Sequence, residues 1–113
     1  MKVIPTQLAG CFVVQPFFAQ DERGTFVKTY HEEPFTEWGL PTIWCEEFYS
    51  SSRKGVIREI HFQTPPHDHE KIVYCMQGRV LGMVLDMRSA SSTYNQRIAF
   101  ELDSAKGAGL IIP

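Results

Sequence analysis

The residues best equipped for chemistry crowd into one stretch, Arg58-Glu59-Ile60-His61-Phe62-Gln63-Thr64-Pro65-Pro66-His67-Asp68-His69-Glu70-Lys71. Three of the chain's 4 histidines lie there: His61, His67 and His69. His61 belongs to an alternating run in which Val56, Arg58, Ile60 and Phe62 face one way and Ile57, Glu59, His61 and Gln63 the other. A strand face carrying Glu, His and Gln meets water or lines a polar cavity; it does not build an apolar core. An imidazole on it is either a solvated strand histidine or a general base, because its proton equilibrium lies near neutral pH. Lys71 opens the apolar run Ile72-Val73-Tyr74-Cys75-Met76. It reads either as a strand-end ammonium snorkelling to water or as a cation aimed at an oxyanion. Arg23 and Arg58 supply the planar fork that pairs with phosphate oxygens, although a single arginine is a weak signal.

His67-Asp68-His69 has the HxH spacing that opens many metal sites. Val73 and Tyr74 stand where a carboxylate ligand is wanted, and no histidine follows His69. A solvated loop after Pro65-Pro66 is therefore expected, and no residue is assigned to a metal. A small metal-binding barrel using His67 and His69 is the lesser alternative.

The elements that must position these groups are short and β-rich. Cys11–Phe18 is rich in Val and Phe, and Asp21-Glu22-Arg23-Gly24 supplies a turn. Thr25–His31 alternates, with Phe26, Lys28 and Tyr30 on one face. Glu32–Gly39 is the one helix, stopped by Gly39 with Pro41 beyond. Strand-like runs follow over Ile43–Ser50, Gly55–Gln63, Lys71–Met76, Arg79–Met87, Tyr94–Leu102 and Gly109–Ile112. Gln77-Gly78 has the spacing of a tight hairpin. Many short strands with turn residues between them predict an all-β fold, a cupin-type jelly-roll antiparallel barrel with one short helix.

A chain of 113 residues and 12.9 kDa holds one domain. With 43% hydrophobic and 21% charged residues it is a globular composition, not a disordered one. A net charge of −2 argues against nucleic-acid binding, which needs a basic surface. No apolar run approaches the roughly 20 residues that cross a bilayer, so no membrane partner is expected. The N-terminus lacks a signal-peptide core, which predicts a cytoplasmic protein. Cys11, Cys45 and Cys75 form no CxxC pair and are expected as reduced thiols packed in a core.

Taken together, Gly55-Val56-Ile57-Arg58-Glu59-Ile60-His61-Phe62-Gln63, Pro65-Pro66-His67 and Lys71 resemble the dTDP-4-dehydrorhamnose 3,5-epimerase family. Asp21-Glu22-Arg23-Gly24-Thr25-Phe26 is similar to its Asp-Glu-Arg-Gly-x-Phe segment. Gly78-Arg79-Val80, Asp86-Met87-Arg88 and Ser92-Thr93-Tyr94 fall where the family has related pieces. The resemblance runs in order along nearly the whole chain. It implies a metal-free and cofactor-free cupin jelly roll, a homodimer exchanging N-terminal strands, and a nucleotide-sugar substrate. It also implies epimerisation of a 4-keto-6-deoxy nucleotide sugar in surface-polysaccharide biosynthesis. By the same resemblance His61 is the base and Lys71 stabilises the enolate. Arg58 would lie near the sugar or diphosphate, Arg23 and Phe26 against the nucleotide, and Glu46 at a substrate-binding position.

Some residues depart from the family pattern. Glu59 stands where the family has Gly, Lys28 where Glu is common, Glu46 where Gln is frequent and Phe48 where Asn is. These departures point to a different nucleotide or sugar, or to a binding module with impaired turnover. Family members also continue past a proline like Pro113 into segments carrying the tyrosine acid and the aspartate that orients the base. The single domain, residues 1–113, is thus expected to lack its C-terminal part. Finally, Arg58 and His61 are three apart, so a regular strand would point them to opposite faces, and a bulge or strong local twist would be needed for both to reach one cavity.

Overall fold

The computed structural model describes all 113 residues. Its elements are β1 (Lys2–Pro5), β2 (Phe12–Gln15), β3 (Phe17–Asp21), β4 (Gly24–Lys28), α1 (Glu32–Glu37), β5 (Lys71–Tyr74), β6 (Arg79–Leu85), β7 (Arg97–Asp103) and β8 (Gly109–Ile112). They form a four-stranded sheet in the order β1-β2-β8-β5 and two hairpins, β3-β4 and β6-β7, with every pairing antiparallel. The all-β class with one short helix is therefore present. The three sheets stay open at their edges and do not close into a barrel.

Both faces of the four-stranded sheet are covered, and the alternation of side chains decides what goes where. Val3, Val14 and Ile111 point to one side, where they pack with Phe35 of α1 and Leu40; Phe12, Trp44 and Ile72 lie against this cluster. Val13, Leu110 and Ile112 point to the other side, toward Val84 of β6 and Ile98 and Phe100 of β7. Gly82 pairs with Phe100 across that hairpin, and a Cβ there would sit 2.5 Å from the Phe100 ring. The ring thus lies over the bare glycine backbone, a close approach that any side chain would block.

α1 carries Glu32 and Glu33 in its first turn, where carboxylates suit the helix dipole, and tolerates Pro34 there. It stops at Gly39, whose φ of 65° lets the amides of Gly39 and Leu40 return to the carbonyls of Thr36 and Phe35. The expected Asp21–Gly24 turn is a two-residue hairpin loop joining β3 to β4. On β4, Val27 faces the body of the protein while Phe26 stays exposed, its ring edge-on to Phe17 at 6.3 Å.

Several expectations are corrected. Cys11–Phe18 is two strands, not one; Pro16 has no amide hydrogen to donate, and β2 and β3 join different sheets on either side of it. Gln77-Gly78 is not a hairpin: β5 pairs with β8 and β6 with β7. Ile43–Ser50 and Gly55–Gln63 form no strands; residues 41–70 hold only turns and bends. Their alternation suits a sheet, but a strand exists only with a hydrogen-bonding neighbour, and none lies beside them. Ile43 is 84% and Ile57 87% exposed as a result. Cys11 is buried as expected, but Cys45 is exposed and Cys75 half-buried. The accessible surface is 9020 Å², against about 6300 Å² for a compact monomer of this mass. No helix is long and apolar enough to cross a membrane.

Candidate active site

Lys71 is the first residue of β5, half-buried and paired with Ile112. Its neighbour Ile72 faces the α1 side, so alternation turns Lys71 and Val73 toward the β6-β7 side with Leu110 and Ile112. The ammonium therefore projects from the face that looks into the sandwich, not from the back of the sheet.

The stretch carrying Arg58 and His61 organises itself through short-range contacts. Gly55, with φ of 86°, supports a turn in which the Val56 amide donates to the Arg53 carbonyl. That turn sets Ser52 beside Arg58, whose Nε and Nη2 donate to the Ser52 Oγ at 3.2 and 3.1 Å. Nη1 is left outside this contact. His61 is exposed and its Nδ1 lies 2.9 Å from the carbonyl oxygen of Glu59. The bulge or twist that a regular strand would require of Arg58 and His61 is not called for, because the segment belongs to no ladder and strict two-residue alternation is not imposed on it.

Arg23 sits at the β3-β4 loop and pairs with Asp21: its Nε donates to Oδ2 at 3.1 Å and its amide to Oδ1 at 2.9 Å. The guanidinium holds the Asp21 carboxyl below its ordinary range, on an exposed tip. Phe26 lies exposed on the same hairpin and Glu46 is exposed in the 41–70 stretch. No hydrogen bond or ion pair joins any two of Arg23, Phe26, Glu46, Arg58, His61 and Lys71. His67 and His69 lie in a turn-rich loop, His69 Nδ1 being 3.2 Å from the His67 carbonyl. No three His, Cys, Asp or Glu side chains come close enough together to hold a metal ion. The Cys11 thiol is buried, which pushes its pKa up and leaves it inert as a nucleophile.

Two features escape a reading of residue types. A groove of about 600 Å³ runs between the sheets, lined by Gln7, Val13, Arg97, Ile98, Phe100 and Leu110 among others. None of the six candidate residues lines it. The second feature is a polar knot around Asp86, 4% exposed between apolar strands. Its carboxylate accepts from Arg88 Nε and Nη2 at 2.9 and 2.8 Å, Ser91 Oγ at 2.6 Å and Thr93 Oγ1 at 2.7 Å. Arg88 also donates to the Ala9 carbonyl, and Thr93 Oγ1 accepts from the Ala9 amide at 3.0 Å. The knot thereby ties the β1-β2 loop to the β6-β7 connection. The spacing Asp-x-Arg followed by Ser-x-Thr was its one visible trace in the sequence.

A family model described as dTDP-4-dehydrorhamnose 3,5-epimerase matches residues 5–113. The chain belongs to that family. The dTDP-4-dehydrorhamnose 3,5-epimerase of Shigella flexneri is 31% identical over 114 residues, covering 100% of this chain and 63% of the relative. The crystal structure of the epimerase from Elizabethkingia anophelis superimposes with a TM-score of 0.90 at 33% identity, over 100% of this chain and 62% of that one. NovW of Streptomyces spheroides, a 4-keto-6-deoxy sugar epimerase, superimposes with a TM-score of 0.93 at 32% identity, over 99% of this chain and 57% of NovW. The fold is thus the cupin-type fold of these epimerases. The chain spans about three-fifths of the length of the curated relatives it matches.

Proposed function

We propose that this chain is the part of a nucleotide-sugar epimerase that binds the substrate and starts proton transfer beside a 4-ketone. The observation that supports this most is the family match over residues 5–113. In a 4-keto-6-deoxy sugar the carbonyl acidifies the hydrogens at C3 and C5. His61 takes one of them, the C–H electron pair becomes the enolate π bond, and negative charge collects on the C4 oxygen. In this reading Lys71 meets that charge with an ammonium. Return of a proton from an acid on the opposite face inverts the carbon, with no change of oxidation state.

In this reading Arg58 uses the edge not engaged by Ser52 for the sugar or diphosphate. Arg23 and Phe26 meet the nucleotide at the tip of the β3-β4 hairpin, and Glu46 adds a polar contact to the substrate. The hairpin's exposed Phe17, Phe18 and Phe26, together with a surface larger than a compact monomer's, support a homodimer joined through the N-terminal strands. Sedimentation at the mass of one chain, 12.9 kDa, would remove the dimer. Residues 1–113 are read as one domain of a cytoplasmic enzyme in surface-polysaccharide synthesis, working without metal or cofactor.

The test is a proton NMR time course of dTDP-4-keto-6-deoxyglucose in heavy water with the protein. Loss of the C3 or C5 proton signal, beyond the rate without protein, is the expected result. A second reading, binding without turnover, is favoured by one observation: no hydrogen bond or ion pair joins any two of the six candidate residues. An unchanged spectrum with saturation-transfer signals from the bound sugar would select it over enolisation.

A further inference from the structure

We infer that Tyr74 and Glu47 form a side-chain latch that holds Glu46 in place, which makes Tyr74 a positioning residue for the nucleotide sugar. Tyr74 ends β5, half-buried, and its hydroxyl donates to Glu47 Oε1 at 3.4 Å. No other hydrogen bond or ion pair links residues 45–70 to the rest of the chain.

On the other flank, Trp44 lies against the apolar cluster that also takes Ile72 of β5. Its ring stands edge-on to that of Tyr30 at 6.5 Å, and the Tyr30 hydroxyl donates to the Thr42 carbonyl at 3.2 Å. Glu46 is thus bracketed by two held residues, Trp44 through packing and Glu47 through Tyr74. In a sheet, main-chain bonds would fix such a residue; residues 41–50 have no ladder, so side chains must do it. Packing at Trp44 alone leaves the backbone dihedrals from 45 onward free to turn. A second contact three residues on fixes their direction relative to the strand that Lys71 opens. Glu46 itself is exposed and makes no hydrogen bond, so its carboxylate is left to accept from the O–H or N–H groups of a ligand. The role of Glu46 rests on the epimerase reading above; the latch does not.

The test compares Tyr74→Phe, Glu47→Leu and Glu47→Gln in the ¹⁵N-labelled full chain. Tyr74→Phe removes one hydroxyl, and its melting temperature should stay within about 3 °C of wild type. Amide signals of residues 45–47 are expected to shift or broaden in Tyr74→Phe and Glu47→Leu. The Kd of dTDP-4-keto-6-deoxyglucose, by titration, should rise about 3–10-fold in both, with kcat for deuterium washing within about twofold of wild type. Glu47→Gln keeps an oxygen that accepts from Tyr74, so it should stay near wild type in both readouts. Unmoved 45–47 signals in Tyr74→Phe, an unchanged Kd, or Glu47→Gln as weak as Glu47→Leu each overturn the inference. Moved signals in a protein whose wild type does not bind the sugar support the latch and remove the epimerase reading instead.

Discussion

Replacing Asp86 by Ala should destabilise the protein by about 2–3 kcal/mol, starting from the 3–5 kcal/mol typical of breaking a buried ion pair. The reduction is for solvent: the Asp86 side chain is 1% exposed but that of Arg88 is 43% exposed, so the orphaned guanidinium can turn to water. Added to the pair are two hydroxyl donors, Ser91 and Thr93, that lose their acceptor, and the clamp on Ala9 that depends on Arg88 and Thr93 staying in place. For a chain of this size that loss corresponds to a melting temperature lower by about 8–15 °C. The pH dependence gives an independent handle. Arg88, then the two hydroxyls, hold the Asp86 carboxyl far below the ordinary carboxylate range, against the opposing effect of burial. A carboxylate depressed in the folded state stabilises fully above its unfolded pKa of about 3.9 and loses that contribution as pH falls below it. Wild type should therefore lose more stability than Asp86→Ala between about pH 5 and pH 2. Thermal melts of Asp86→Ala, Arg88→Ala and the double variant complete the experiment. The second substitution should add little to the first, since both break one knot. A single-variant melt within about 2 °C of wild type, or full additivity in the double variant, would refute the argument.

Gly82→Ala places a methyl 2.5 Å from the Phe100 ring, so overpacking should cost about 1–3 kcal/mol by urea unfolding, and Phe100→Leu in the same chain should recover part of it. His61→Ala should slow deuterium washing into the keto sugar by about 10²–10⁴-fold with the melting temperature nearly unchanged, because the ring is exposed. Lys71→Ala should slow washing by about 10²–10³-fold, and equal washing rates in wild type and either variant would remove that residue from the mechanism.

Local chemistry was legible in the sequence. The Asp21–Gly24 turn, the helix with its Gly39 stop, and the apolar runs of β5, β6 and β8 were all written in periodicity and turn residues, which act over a few positions. The crowding of Arg58, His61 and Lys71 was equally plain, and the order of motifs pointed to the family that the match over residues 5–113 shows. Strand partners were not legible. Gln77-Gly78 looks like a hairpin turn by local criteria, yet β5 pairs with a strand more than thirty positions on, at 109–112. Ile43–Ser50 and Gly55–Gln63 have the alternation of strands but no neighbour to bond, so they stay outside every sheet. The Asp86 knot depends on contacts of Arg88 and Thr93 with Ala9, 79 and 84 positions away. The sequence by itself determined which segments can be strands, where the chain turns and which side chains can carry a proton or a charge. Tertiary structure alone decided which edges meet, which face Lys71 looks from and what holds the β1-β2 loop. A strand's edge offers the same amide and carbonyl groups whatever its sequence, so the choice of partner is made by packing between distant residues.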